Sequence, residues 1–158
     1  MTALIFLAAC SGNAPAGVFR PASAPIYSSA VLDISRLAGR WQQVADFAAA
    51  DAATCQPGGA GIDQEANGLK ITARLCLAGK STRVAGRLRP IGPGRFAVAG
   101  QQPWWVLWAD TDYRTLVIGT PSGAFGFVLN RGGLLPEDRL RSAREVLAWN
   151  RYDLALLR

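Results

Sequence analysis

At 158 residues, half of them apolar, the chain is sized for one domain with its own core and is too hydrophobic to stay disordered. Its net charge of +6 is carried almost wholly by arginines scattered along the chain, with no basic cluster interleaved with aromatics, which argues against nucleic acid and for a solvated or membrane-facing surface. The absence of histidine removes the usual general base, metal ligand and haem ligand, and three cysteines are too few for a structural zinc site, so no metal or cofactor is expected.

Residues 1–9 read as a signal segment, apolar from Leu4 to Ala9 and ending in Leu7-Ala8-Ala9-Cys10. That tetrapeptide resembles a bacterial lipobox, in which a diacylglycerol is added to the cysteine thiol and the chain is cut just before it. The resemblance implies a lipid anchor at Cys10. With Ser11 following, and no aspartate there, it implies sorting to the periplasmic face of the outer membrane. No apolar run reaches the roughly 20 residues that span a bilayer. Residues 10–32, rich in Pro, Ala, Ser and Gly without hydrophobic periodicity, have the composition of a flexible tether. With Cys10 consumed by lipid, Cys55 and Cys76 remain as a pair in an oxidising compartment. A disulfide between them closes a loop of about 20 residues, a constraint of roughly 3 kcal/mol; the alternative is two unpaired buried thiols.

Residues 33–158 form the folded domain. From Leu37 onward the chain consists of strand-like runs separated by turn residues: Gly39 to Phe47, Gly58 to Asp63, Leu69 to Leu77, Thr82 to Pro90, Arg95 to Ala99, Trp104 to Ala109, Tyr113 to Thr120 and Ala124 to Asn130. Asn67-Gly68 is a hairpin signal between the second and third. Eight consecutive hairpin-linked strands predict an all-β, antiparallel up-and-down barrel whose interior holds one small ligand. Pro136-Glu137-Asp138 then opens a helix, with Leu140, Ala143 and Leu147 on a narrow stripe against the outside of the barrel. Arg139, Arg141 and Arg144 are expected to face solvent.

Three positions carry a family resemblance. Gly39-Arg40-Trp41 resembles the Gly-x-Trp signature of the first lipocalin strand. Asp110-Thr111-Asp112-Tyr113 resembles the Thr-Asp-Tyr turn between the sixth and seventh strands. Arg131 is similar to the arginine that closes the eighth. Their order and spacing match as well, and the resemblance is to the bacterial outer-membrane lipocalins, which themselves resemble apolipoprotein D. It implies that Trp41 plugs the closed end of the barrel with Arg131 stacked on its indole, and that Asp110, Asp112 and Tyr113 shape the adjoining turn. A catalytic pair of aspartates is the alternative reading of that turn, but no acid–base partner is in sight.

Ligand contacts are expected at positions sharing the inward parity of Trp41 and Arg131. On the first strand these are Gln43, Ala45 and Phe47; on the fourth Val84, Gly86 and Leu88; on the eighth Phe125, Phe127 and Leu129. The resemblance puts Trp105, Leu107 and Ala109 of the sixth strand inside and Trp104 and Trp108 outside. In the third strand the apolar alternation Leu69, Ile71, Ala73, Leu75 conflicts with the parity that the resemblance implies, and no contact is assigned there. An interior of Phe, Trp, Leu and Ala suits a fatty acid, a lysophospholipid or another elongated apolar molecule. Non-catalytic carriage or storage of such a lipid is therefore the leading expectation. The alternatives are an envelope lipoprotein whose barrel is filled by its own side chains, and an enzyme on the same scaffold, for which a free low-pKa thiol at Cys55 or Cys76 is the remaining route.

Overall fold

The computed structural model describes residues 18–158; Cys10 and the signal segment lie outside the described residues. A 3-10 turn at Ile34–Leu37 leads into β1 (Gly39–Asp46), β2 (Gly59–Glu65), β3 (Gly68–Leu77), β4 (Lys80–Gly92), β5 (Arg95–Val98), β6 (Trp104–Ala109), β7 (Thr115–Gly119) and β8 (Gly126–Asn130). Helix α1 (Glu137–Trp149) and a last 3-10 turn at Leu154–Leu156 follow. Each strand pairs antiparallel with its neighbour and β8 returns to β1, closing an eight-stranded barrel without free edges. The 3-10 turn before β1 lies at one end. The β1–β2, β3–β4, β5–β6 and β7–β8 connections surround the other, which we call the mouth.

Alternation drives the simplest wall. In β3 every second residue from Leu69 to Leu77 belongs to the interior cluster, while Lys70, Thr72 and Arg74 point out. The apolar alternation in the sequence was thus the right guide to this strand, and the opposite parity is not observed. In β4, Val84 and Leu88 are inside and Arg83, Arg87 and Arg89 are exposed on the outer face.

The wall opposite is apolar on both faces because α1 covers it. Ala143 and Leu147 are fully buried against Phe47, which directly follows β1, and Leu107, Val117 and Val128, one outer residue from each of β6, β7 and β8. Arg139 departs from expectation: its guanidinium turns toward the barrel and donates to Thr115 Oγ1 (2.9 Å) and Asn130 Oδ1 (3.2 Å). Those two side chains are themselves buried under the helix, so a cation that reaches them satisfies polar atoms water cannot. Arg141 and Arg144 are exposed.

The described part of the expected tether is packed. Phe19 is buried among Phe47 and the α1-covered panel, and the Phe19 and Phe47 ring centroids are 5.7 Å apart. Arg20 is buried with it, donating to the carbonyls of Asn150, Pro121, Ala24 and Pro25, which fixes this segment to the β7–β8 loop and the end of α1. Burial lowers the Arg20 pKa. One aromatic and one arginine inside a Pro- and Ala-rich stretch outweighed its composition.

Candidate functional site

The barrel interior is closed at the end opposite the mouth. Trp41 is buried there and its Nε1 donates to the Leu37 carbonyl at 2.9 Å, so the 3-10 turn and the indole form one plug. The Arg131 guanidinium lies 3.9 Å from the Trp41 ring centroid and donates to the carbonyls of Tyr113, Arg36 and Ala38. Gly39 sits beside it at φ +125°, where a Cβ would fall 2.3 Å from Arg131 Nη1. The glycine of Gly39-Arg40-Trp41 is therefore required both by its backbone angle and by the arginine above it. Asp110 Oδ1 accepts the N–H groups of Arg114 and Thr115 at 2.6 and 2.5 Å, which makes it a turn-holding carboxylate. Asp112 is exposed, and the Tyr113 hydroxyl accepts the Asp33 N–H at 2.6 Å.

Toward the mouth the interior is lined by Leu75, Leu77, Phe96, Val98, Trp104 and Phe125 above a floor of Phe127, Leu129 and Leu116. Trp104 meets Phe127 edge-on with centroids 5.1 Å apart, and Phe125 follows at 6.1 Å from Phe127. Val84, Leu88, Phe125, Phe127 and Leu129 face the interior where the sequence placed them. Gly86, opposite Ile71, shares that face.

Two bulges explain the residues that do not. In β1 the register with β8 shifts between Gln43 and Ala45: Gln43 pairs with inward Leu129, Ala45 with outward Val128 and Asp46 with inward Phe127. Ala45 and Phe47 accordingly leave the interior for the panel under α1, and Asp46 turns in. In β6 the register with β7 shifts between Val106 and Trp108. Ala109 packs on the interior and Trp108 outside as expected, but upstream of the bulge the faces exchange. Trp104 and Val106 are inside, whereas Trp105 and Leu107 are outside, Trp105 beneath the Arg95 guanidinium at 4.1 Å. An extra residue flips every side chain beyond it, and nothing in the spacing of Trp104-Trp105-Val106-Leu107-Trp108 marks where it falls.

Gln43 is inward but is not free to meet a ligand. β2 ends at Gly59, so above that level β1 and β3 face each other across a missing strand. The Gln43 amide spans the gap, donating from Nε2 to the Cys76 carbonyl (2.8 Å) and accepting the Cys76 N–H on Oε1 (2.7 Å). Cys76 is also joined to Cys55 of the β1–β2 loop by a disulfide, with Cα atoms 5.9 Å apart. The two cysteines of the described residues thus carry no free thiol.

The interior is tightly filled. In its apolar cluster the most accessible residues, Ala73 and Leu77, expose 8% and 7%, and Ile71, Phe127 and Leu129 expose nothing. Room for a ligand has to come from side-chain movement at the mouth. Asp46, Phe96, Val98 and Trp104, with Leu75 and Leu77 of the unassigned third strand, are inward residues there that the sequence reading did not name. Burial raises the Asp46 pKa, partly opposed by Arg158.

Among known proteins, the family described as a lipocalin-like domain matches residues 32–158. No curated protein matches the sequence. Solved structures share the fold at low identity. Insecticyanin from the tobacco hornworm Manduca sexta is 15% identical with a TM-score of 0.66, covering 90% of this chain and 87% of its own. Lobster apocrustacyanin A1 is 15% identical with a TM-score of 0.61, covering 92% and 91%. The cockroach allergen Per a 4 is 14% identical with a TM-score of 0.64, covering 85% and 92%.

Proposed function

The chain belongs to the lipocalin-like family, and on that premise we propose that it binds a small, elongated hydrophobic ligand of the fatty acid or lysophospholipid class through the mouth of the barrel. The observation that carries this reading is the continuous apolar interior, plugged at one end by Trp41 and Arg131 and bounded at the other only by loops. Burying ten methylenes at about 0.8 kcal/mol each gives roughly 8 kcal/mol gross. Lost ligand freedom, and displacement of Phe125 and Leu77 to make room, reduce that to affinities on the micromolar scale.

The same proposal places the protein at the periplasmic face of a bacterial outer membrane, anchored by a diacylglyceryl group on Cys10. The lipobox-like Leu7-Ala8-Ala9-Cys10 and Ser11 support this, and the Cys55–Cys76 disulfide fits an oxidising compartment. Its role there is carriage or storage without chemistry: among the described residues the interior cluster gathers no nucleophile with a base, and Cys55 and Cys76 are bonded to each other. A second reading, a structural envelope lipoprotein, is favoured by the filling of the barrel.

Native mass spectrometry of the full chain bearing Cys10→Ala, followed by denaturation to release bound molecules, separates the two. A stoichiometric acyl lipid, lost on Phe125→Asp, supports carriage. An empty protein that takes up no fluorescent fatty acid refutes it in favour of the filled barrel.

A further inference from the structure

Among the described residues, two buried side-chain polar atoms find no hydrogen-bond partner, Trp104 Nε1 and Thr120 Oγ1. They come from neighbouring strands' mouth ends and are brought to one place by the β6–β7 register. Trp104 opens β6, and Thr120 directly follows β7. Trp105 pairs with Gly119, so one step further toward the mouth sets Trp104 beside Thr120. Trp104 is 2% exposed and part of the interior cluster; Thr120 is fully buried, and the alternation that turns Leu116 and Ile118 inward turns it inward too. An unmade hydrogen bond is a standing cost to the folded state, and side chains with buried polar atoms are almost always paired. Two such groups side by side at the mouth of an apolar interior are a prepared polar contact.

We propose that Trp104 and Thr120 form a polar subsite for the neutral carbonyl or ester oxygen at one end of an otherwise apolar ligand. The proposal rests on the ligand-binding reading above and narrows the ligand's class. An indole N–H only donates and a threonine hydroxyl donates readily, so the pair suits an oxygen acceptor. The carboxylate nearest the pair in register favours a neutral one. The charged residues at inward strand positions include Asp46, level with Phe127, on which Trp104 packs, and the exposed Lys80, opposite Leu77 at the β3–β4 turn. Arg158, the cation nearest in influence to Asp46, is held by the Ala49 and Ala52 carbonyls. A free carboxylate held by Trp104 and Thr120 lies beside the strand that carries Asp46, while Lys80 stands on the β3–β4 turn; an ester there meets two donors.

The test uses three slender polyenes that fluoresce on entering an apolar site: the methyl ester of parinaric acid, parinaric acid itself, and the hydrocarbon diphenylhexatriene. Each is titrated at pH 8 into the full chain bearing Cys10→Ala, alone and with Trp104→Phe and Thr120→Val, which remove both donors, the first with a smaller ring and the second at nearly constant volume. The ester is expected to bind about tenfold more tightly than the hydrocarbon, and more tightly than the acid. In the double variant it falls to the hydrocarbon's affinity, while the hydrocarbon's own changes little. Thr120→Ser, which keeps the hydroxyl, retains the preference, and the unfolding midpoint of each variant reports that the barrel is intact. An ester preference absent from the parent, or surviving in the double variant, overturns the subsite, and acid binding tighter than ester overturns its neutral character. If none of the three binds, the ligand-binding reading fails and the subsite with it, an outcome distinct from hydrocarbon binding without ester preference.

Discussion

Replacing Gln43 by leucine tests whether a side chain stands in for a missing piece of sheet. The leucine keeps comparable volume but supplies neither partner to Cys76, whose N–H and C=O are now held at 2.7 and 2.8 Å. Both backbone groups are buried, with Cys76 fully covered, and β2 does not reach high enough to replace the lost bonds. Each orphaned group costs about 1–3 kcal/mol, so the substitution removes roughly 2–6 kcal/mol. That is a large fraction of the roughly 5–15 kcal/mol that holds a domain together. With a urea dependence of roughly 1–3 kcal/mol per molar, the midpoint falls by about 1 M or more at unchanged slope, read by tryptophan fluorescence with the disulfide kept oxidised. Gln43→Glu sharpens the test. Its carboxylate still accepts the Cys76 N–H but offers the carbonyl no proton unless it is protonated, so its deficit should grow as pH rises from about 4 to 8. A Gln43→Leu protein within about 0.5 kcal/mol of the parent, the size of a neutral surface change, would refute the reasoning.

Gly39→Ala is expected to cost at least about 1–3 kcal/mol, from backbone strain at φ +125° and from the contact with Arg131. Removing the arginine in the same chain should recover part of that loss, and a double-mutant cycle in denaturant shows whether the two couple. Asp46→Asn bears on pH. Burial raises the Asp46 pKa in the folded state, so the folded chain holds its proton more tightly than the unfolded one. Stability then falls as pH climbs from the ordinary aspartate value through the raised one, and the penalty is complete above it. The asparagine variant should therefore match the parent at acid pH and exceed its thermal midpoint at neutral pH; equal midpoints throughout would mean that Asp46 is not held against its charge.

Much of the fold was legible because local signals agreed. The strand runs fell within a few residues of the observed β1 to β8, and Trp104 to Ala109 coincided with β6. Turn glycines, the Asn67-Gly68 hairpin and the Gly39, Trp41 and Arg131 set are local chemistry, each tied to a backbone angle or a single stacked pair. The facing of β4 was also legible, since one side meets water and the arginines mark it, whereas β3 stayed unassigned because its apolar alternation, which proved right, conflicted with the resemblance. The Cys55–Cys76 pair followed from the cysteine count on the premise of an oxidising compartment.

The candidate site was less so, and the reason is the helix. Where α1 covers the barrel, β7 and β8 are buried on both faces and hydrophobicity no longer tells inside from outside. The bulges in β1 and β6 flank that panel, and each turns the residues beyond it, so Phe47 and Trp105 left the interior and Asp46 and Trp104 entered it. Thr120 carried no sequence signal at all, because its importance comes from lying beside Trp104. By itself the sequence determined the strand succession of the barrel, which rests on residue type and near spacing; the family resemblance implied the plugged end, and the cysteine count pointed to the disulfide. Only the tertiary structure decided which side chains meet at the mouth, because one extra residue in a strand exchanges its two faces and only the register with the neighbouring strand reveals it.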